Sequence, residues 1–230
     1  MKKAIIALSV LVVIATGARA QSNPIIYTIG SAPADHKEEA DPKRGIAFGP
    51  EIGLNMANMA MTSLTTSFKF GLAAGAVVDF GLSKNFYLQP GLFYLMNGCT
   101  VSKGTYNPSY SINLNTIQLP INVLYKLSKP GKSRIFFGLG PYVAYNISGT
   151  TKSGSTTSTI TIGDKTNDTK PLDFGADVNV GYQFAMGLLI RARYQMGFAN
   201  LNPNSGSTAT TSAIGVTVGY LFGGKPKKAS

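Results

Sequence analysis

Cysteine and histidine are almost absent from this chain of 230 residues, which contains one of each, Cys99 and His36. One cysteine cannot close an internal disulfide, and a cysteine-based metal site needs several thiolates. His36 lies in a polar segment where a solvated side chain is expected, so neither a histidine zinc site nor a Ser–His–Asp triad is predicted. Without a nearby histidine, Cys99 is expected to be a packed side chain and not a nucleophile.

Charged residues and long apolar runs are also scarce. Only 13% of the residues are charged, and beyond the N-terminus no apolar stretch approaches the roughly 20 residues of a membrane-spanning helix. Glycine (26 residues) and aromatic residues (10%) are abundant, as is typical of a barrel with a lipid-facing wall. The 21 basic residues outnumber the 10 acidic ones, but they are scattered. Nucleic-acid binding is therefore not expected.

The N-terminus has the three parts of a secretory signal peptide. Two lysines open it, an apolar stretch follows over residues 4–14, and residues 18–20 read Ala-Arg-Ala. Cleavage is predicted between Ala20 and Gln21. Because the apolar stretch is too short to span a membrane, an uncleaved anchor helix is the less favoured alternative.

The rest of the chain divides into three regions. Residues 21–44 lack periodicity and are predicted to form a flexible periplasmic leader, and residues 223–230 form a basic C-terminal tail. Over residues 45–222, apolar residues recur at every second position, which is the period of a β-strand. Eight strands are predicted: 45–56, 68–82, 86–98, 111–127, 134–148, 172–186, 188–198 and 213–222.

The predicted connections alternate in length. Three are short, whereas four are long and rich in serine, threonine, asparagine and glycine; the longest is expected to stay mobile because it has little apolar surface. Short turns on one rim and long polar loops on the other are typical of outer-membrane barrels. We therefore predict an all-β protein, an eight-stranded antiparallel up-and-down transmembrane β-barrel in the bacterial outer membrane. The long connections are residues 57–67, 99–110, 149–171 and 199–212.

Each predicted strand has one apolar face and one face of small or polar residues. Along residues 172–186, for example, Val178 and Val180 share the apolar face, and Asp177 and Asn179 share the other. In a soluble lipocalin-like barrel the polar face would meet water and carry many lysines and glutamates. Small residues instead fit the crowded interior of an eight-stranded barrel. The apolar face is therefore predicted to contact lipid.

Nine charged residues of the strands lie on the predicted inner face. A charge on the lipid face would cost about 2–4 kcal/mol near the membrane midplane. Adjacent strands place Asp173 and Asp177 beside Arg191 and Arg193, which predicts an ion-pair network that plugs the lumen. An ion-selective pore and acid–base chemistry by the two aspartates are the alternatives. The predicted network comprises Glu51, Lys69, Asp79, Lys126, Arg134, Asp173, Asp177, Arg191 and Arg193.

Short motifs built from glycine, aromatic and proline residues occur along most of the predicted strands. They are Phe70–Leu72, Val78–Phe80, residues 82–94 (LSKNFYLQPGLFY), Ile117–Ile121 (IQLPI), Gly138–Tyr142 (GLGPY), Gly181–Gln183, Arg193–Tyr194 and Gly219–Phe222. In order and spacing, over about residues 45–222, these motifs resemble the PorT family of outer-membrane β-barrel proteins of Bacteroidetes. The resemblance implies an eight-stranded outer-membrane barrel, but no single activity, because the family is broad.

No catalytic or cofactor-binding pattern accompanies these strands. Residues 164–168 loosely resemble a calcium loop but lack its glutamate and further ligands, so no metal or cofactor is expected. We expect a structural or surface-interaction protein and not an enzyme. Its expected partners are outer-membrane lipid, the barrel-assembly machinery and an unknown protein or surface ligand at the long loops. A narrow channel for small solutes is the alternative, and a soluble ligand-binding barrel is less favoured.

Overall fold

The computed structural model describes residues 45–62, 64–102, 109–127, 132–163, 165, 168–204 and 206–223. The predicted signal peptide with its cleavage site at Ala20 and Gln21, the leader of residues 21–44, and the basic tail beyond Gly223 lie outside these residues. Within the described ranges, no helix is long and apolar enough to cross a membrane.

The described residues form a closed antiparallel β-barrel of eight long strands, which confirms the predicted fold. The strands are β1 (Ile46–Met61), β2 (Thr65–Gly81), β3 (Phe86–Ser102), β4 (Tyr110–Lys126), β5 (Arg134–Ser153), β6 (Thr156–Ile160), β7 (Leu172–Gln183), β8 (Leu188–Gly197), β9 (Ala209–Tyr220) and β10 (Phe222–Gly223). The barrel closes where β1 pairs with β9. The short strand β6 pairs with β5, and β10 follows β9 after one residue and pairs with β1.

The apolar face of the barrel points outward. Val178, Tyr194 and Val216 are 50%, 42% and 51% exposed, whereas the adjacent Asp177 and Arg193 are 0% and 4% exposed. Soluble monomers rarely expose a contiguous apolar patch of more than a few hundred Å². A whole wall of exposed aliphatic and aromatic side chains is therefore a lipid-facing surface, and the lipocalin-like alternative, which needs these side chains inside, is contradicted.

The two ends of the barrel differ in their connections. At the short-turn end, residues 82–85 join β2 to β3 and residues 184–187 join β7 to β8. At the long-loop end, residues 103–109 join β3 to β4 and residues 198–208 join β8 to β9. These four connections follow the predicted alternation, whereas the β1–β2 connection at the long-loop end does not, because it has only the three residues 62–64.

Two of the predicted long connections are largely strand. Residues 62–64 alone separate β1 from β2, where the sequence predicts a loop over residues 57–67. The run after residue 149, predicted to be mobile, is also ordered: β5 continues to Ser153, and the chain turns at Gly154 (φ 58°) and returns as β6. Both predictions are wrong because backbone hydrogen bonds to neighbouring strands hold these segments in the sheet.

Gly140 lies on the inner face of β5 against the backbone of β4. A Cβ atom added there would lie 1.9 Å from the carbonyl oxygen of Ile121. We expect Gly140→Ala to reduce the folded fraction severalfold, because the backbone cannot retreat without breaking the β4–β5 ladder. Heat-modifiable gel mobility measures that fraction. Gly215→Ala is the control, since the nearest atom to its added Cβ is in the Arg193 side chain at 3.2 Å; equal loss in both variants would contradict the argument.

Candidate functional site

The barrel interior gathers eight of the nine charged residues predicted to lie there. Each of them is at most 7% exposed. They are Glu51, Asp79, Lys126, Arg134, Asp173, Asp177, Arg191 and Arg193. Burying so many charges is costly unless each charge is paired or hydrogen-bonded, so their partners determine whether the interior is stable.

Asp79 and Lys126 form an ion pair near the short-turn end. The Lys126 ammonium contacts Asp79 Oδ2 and also donates to Gln183 Oε1 at 3.0 Å. Gln89 Nε2 donates to the other oxygen of the Asp79 carboxylate. The ammonium lies 4.5 Å from the centre of the Tyr87 ring. Both charged groups therefore have the further polar contacts that a buried ion pair needs.

Arg134 lies against the same tyrosine. Its Nη1 atom donates to the Tyr87 hydroxyl at 2.9 Å, and its guanidinium carbon lies 5.0 Å from the ring centre. Tyr87, Leu124, Phe136 and Leu189 pack together as a buried apolar cluster at this level. The short-turn half of the lumen is thus filled by rings and aliphatic side chains around two cations and one carboxylate.

Glu51 is the carboxylate at the centre of the lumen. Its Oε1 atom lies 3.1 Å from Arg191 Nη2, and its Oε2 atom lies 3.7 Å from Arg193 Nη2. The Thr217 hydroxyl donates to Oε2 at 2.8 Å. Arg193 also stacks on Phe93, with 4.2 Å between the guanidinium carbon and the ring centre. One carboxylate from β1 therefore contacts two arginines from β8.

Asp173 and Asp177 form no ion pair with these arginines among the described contacts, although Asp177 interacts electrostatically with Arg193. Asp177 accepts hydrogen bonds from Asn179 Nδ2 at 2.8 Å and from Gln195 Nε2 at 3.0 Å. Asp173 accepts one from the Thr211 hydroxyl at 2.6 Å. Barrel closure brings Glu51 of β1 close to β8, so that both arginines of β8 contact it.

Lys69 is the least buried residue of the predicted network, although it pairs with the buried Ala57 on β1. It is only half-buried, and its ammonium donates to Asn113 Oδ1 on β4. The β2–β3 ladder is interrupted between Phe68 and Ala73. Because this irregularity interrupts the strand period, counting every second residue from Asp79 does not give the surroundings of the Lys69 ammonium.

An apolar cap closes the long-loop end of the lumen. Its buried members are Met59, Cys99, Val101, Leu114, Ala199, Leu201 and Ala209. Backbone hydrogen bonds of 2.9 and 2.8 Å, from Lys170 N–H to the Leu201 carbonyl and from Leu201 N–H to the Ala209 carbonyl, hold the β8–β9 connection over the opening. The cap was not predicted, because its segments read as polar loops. The apolar residues Cys99 and Val101 were the feature of the sequence that could have indicated it.

Little space remains between the cap and the charged layers. A cavity lined by Met59, Gln118, Tyr142, Asp173 and Gln195, among others, has a volume of about 20 Å³. Since one water molecule needs about 10–15 Å³ by this measure, the cavity can hold a single water molecule but no solute.

The outer surface carries an apolar band of nearly constant height. In most strands the outward apolar series covers about 9 to 13 residues, close to the length with which a tilted strand crosses a bilayer. Aromatic rings pair at its short-turn border, with 5.1 Å between the ring centres of Phe86 and Tyr125 and 4.8 Å between those of Tyr220 and Phe222. Such aromatic borders are typical of membrane interfaces.

Comparison with known proteins finds one family model and several solved structures of low sequence identity. The family model described as outer membrane protein beta-barrel domain matches residues 20–202. No curated protein matches the sequence. Similar solved structures include the attachment invasion locus protein Ail of Yersinia pestis, at 10% identity over 76% of this chain and 98% of that chain with a TM-score of 0.42. OprG of Pseudomonas aeruginosa (9% identity, 78% and 97%, TM-score 0.49) and neisserial surface protein A (10% identity, 76% and 99%, TM-score 0.44) are further examples.

These similarities in structure concern the fold alone, since the sequence identities are low. The family model, by contrast, covers most of the chain, and the closed barrel carries an apolar band of membrane-spanning height. The protein is located in the bacterial outer membrane, and the chain belongs to the outer membrane protein beta-barrel domain family.

Proposed function

We propose that this protein is a non-enzymatic outer-membrane barrel with a structural or surface-interaction role, and that its lumen is closed to solutes. The filled interior carries the proposal. The lumen contains two layers of charged residues, one around Asp79 and Lys126 and one around Glu51, and it is closed by the apolar cap. The described cavity next to the cap has a volume of only about 20 Å³. A barrel filled in this way anchors the protein in the membrane. The proposed interaction with a partner then takes place at the surface outside the membrane.

The proposed interaction surface is the hairpin that the end of β5 forms with β6 at the long-loop end. Among the described strands, β6 pairs with β5 alone, and Thr156–Thr159 are exposed. A free strand edge presents unpaired backbone N–H and C=O groups that can add an extended segment of another protein. The proposed partner is therefore a protein or surface ligand that meets this Ser/Thr-rich edge.

A closer assignment to PorT-family barrels of Bacteroidetes is part of the proposal. It is supported by the motifs Ile117–Ile121 and Gly138–Tyr142, which lie on the paired strands β4 and β5, with Pro120 opposite Tyr142. Outer-membrane lipid and the barrel-assembly machinery are the further partners proposed, with export directed by the signal peptide predicted to be cleaved after Ala20.

The closed lumen predicts that the purified protein does not conduct ions. In planar bilayers we expect a current at the level of protein-free membrane, with a porin as the positive control. Discrete conductance steps that scale with the amount of folded protein would contradict the closed lumen.

Two double variants test whether the buried side chains block the lumen. Phe136→Ala combined with Leu201→Ala removes one buried side chain from the short-turn half and one from the cap, and is expected to produce a measurable conductance. Phe137→Ala combined with Leu139→Ala removes the same groups from the lipid face, where the side chains are 51% and 61% exposed, and should leave the current at baseline.

A narrow water-filled channel is the second candidate. It is favoured by the central arginines, because the three guanidinium nitrogens of the buried Arg193 form no hydrogen bond with a described protein group. Ordered water could satisfy such donors. Conductance of protons without conductance of potassium or chloride would favour this candidate over the closed barrel.

A further inference from the structure

The apolar cap combines residues of the strands with residues of one connection. Cys99 and Val101 belong to strand β3, whereas Ala199 and Leu201 belong to the connection between β8 and β9. Leu201 is 2% exposed, and Cys99 is completely buried. Because a connection is not held in a ladder on both sides as a strand is, residues 199–204 are the part of the cap that can move, and we name them the lid.

The backbone of the lid is held by hydrogen bonds to its own asparagines. Asn200 Oδ1 accepts from the Asn202 N–H at 3.0 Å and from the Ala209 N–H at 2.8 Å. Asn202 Oδ1 accepts from the Asn204 N–H at 2.9 Å. Asparagine side chains commonly fix turns in this way, by bonding to the backbone two residues further along the chain. The lid can therefore change position as a unit, since its displacement leaves these local bonds intact.

A backbone hydrogen bond joins the middle of the lid to the segment that precedes β7. The Lys170 N–H donates to the Leu201 carbonyl at 2.9 Å. Lys170 is itself held in place, because its carbonyl accepts from Asn146 Nδ2 at 3.2 Å and the neighbouring Thr169 N–H donates to the Thr161 carbonyl at 2.9 Å. The bond between Lys170 and Leu201 thus connects the lid to a segment that is fixed to β5.

A polar recess lies next to the cap. It is the cavity of about 20 Å³ to which Gln118 and Asp173 contribute. Gln118 Nε2 and Asp173 Oδ1 form no hydrogen bond with a described protein group, although the two residues are 2% and 5% exposed. Closure of the lid buries apolar side chains, which favours the closed state, but it also keeps these polar atoms from solvent, which favours opening. This opposition favours a lid that opens at a lower free energy than the barrel unfolds.

We propose that the lid opens as a unit while the barrel stays folded, and that the hydrogen bond from Lys170 to Leu201 is its latch. Opening gives solvent access to the recess around Asp173 from the long-loop end. The layer around Asp79 and Lys126 lies in the other half of the lumen and is not displaced. The inference therefore does not rest on the proposed interaction surface, and it holds whether or not the lumen conducts.

The one thiol of the protein reports the opening, because the cap buries it. The test measures the rate at which a water-soluble maleimide labels Cys99 in the folded protein in detergent, at urea concentrations below the unfolding transition. A local opening exposes little surface, so this rate should hardly depend on urea.

The comparison protein combines Val77→Cys with Cys99→Ala. Val77 is 2% exposed, is close in size to cysteine and packs in a cluster separate from the cap. A thiol at this position becomes accessible only when the barrel unfolds. Cys99 of the wild type is therefore expected to react at least ten-fold faster than the thiol of the comparison protein.

Two substitutions at one residue test the latch. Lys170→Pro removes the N–H that donates to Leu201, whereas Lys170→Ala keeps the N–H and removes only the side chain. Lys170→Pro is expected to accelerate the labelling of Cys99 about three- to ten-fold, which corresponds to the loss of one backbone hydrogen bond. Lys170→Ala should change the rate less than two-fold.

Two results would overturn the proposal. Equal rates for Cys99 and for the thiol at position 77, with the same dependence on urea, would mean that the cap opens only when the whole barrel unfolds. Equal rates in the two Lys170 variants would mean that the Lys170 N–H does not hold the lid. If Lys170→Pro does not fold, Asn146→Ala tests the latch instead, because it removes the donor to the Lys170 carbonyl. It should accelerate the labelling of Cys99 and leave position 77 unchanged.

Discussion

Leu139→Arg is expected to prevent assembly of the barrel in the outer membrane, whereas Ser148→Arg on the same strand and face should assemble almost normally. Leu139 is 61% exposed near the middle of the apolar band, and Ser148 lies just above it. An arginine at the midplane costs about 2–4 kcal/mol, and the cost falls toward zero near the interface. Against a total stability of about 5–15 kcal/mol, the midplane cost is large.

Outer-membrane fractionation followed by heat-modifiable gel mobility reports the folded fraction of both variants. The comparison separates depth in the membrane from the added charge itself, because both substitutions introduce the same side chain on β5. If the two variants assemble equally well, then the exposed apolar side chains do not contact lipid, and the position of the barrel in the membrane has been assigned wrongly.

Asp79→Asn is expected to destabilise the barrel by about 3–5 kcal/mol, because it leaves the ammonium of Lys126 buried without a counter-charge. Lys126 is 1% exposed, and the substitution keeps the size of residue 79 nearly unchanged, so the loss reflects charge and not packing. Unfolding by urea in lipid vesicles measures the free energy of unfolding.

The matching double variant, Asp79→Asn with Lys126→Met, is expected to recover most of that loss. The end of the Lys126 side chain lies 4.5 and 6.0 Å from the ring centres of Tyr87 and Phe136, an environment that suits a thioether. Replacing a buried ion pair by apolar groups of similar volume is often neutral. A double variant as unstable as Asp79→Asn alone would show that the aspartate acts through contacts other than its charge.

The period of the sequence was sufficient to predict the wall of the barrel. Alternation along residues such as Val178–Tyr182 depends only on the geometry of one strand, in which successive side chains point to opposite faces. Once lipid is identified as the surroundings of the apolar face, the polar and charged residues must lie inside. The fold and the outward position of Val178, Tyr194 and Val216 could therefore be predicted without knowing which residues contact each other.

The pairing inside the lumen could not be predicted in the same way. Glu51 meets Arg191 and Arg193 because β1 and β9 close the barrel and the strands are tilted and staggered, and those quantities belong to the whole sheet. A comparison of strands that are neighbours in the chain places Asp177 near Arg193 but does not reveal Glu51 as a partner. The contact of Lys69 with Asn113 could not be predicted either, since the nearby irregularity between β2 and β3 is not visible in either strand alone.

The sequence by itself determined the number of strands, the face that meets lipid and the enclosure of most charges, because each follows from local alternation and from the high cost of a charge in hydrocarbon. Only the tertiary structure decided which charges pair and that apolar residues such as Leu201 seal the long-loop end. These contacts join residues far apart in the chain, and their geometry is fixed only when the sheet has closed.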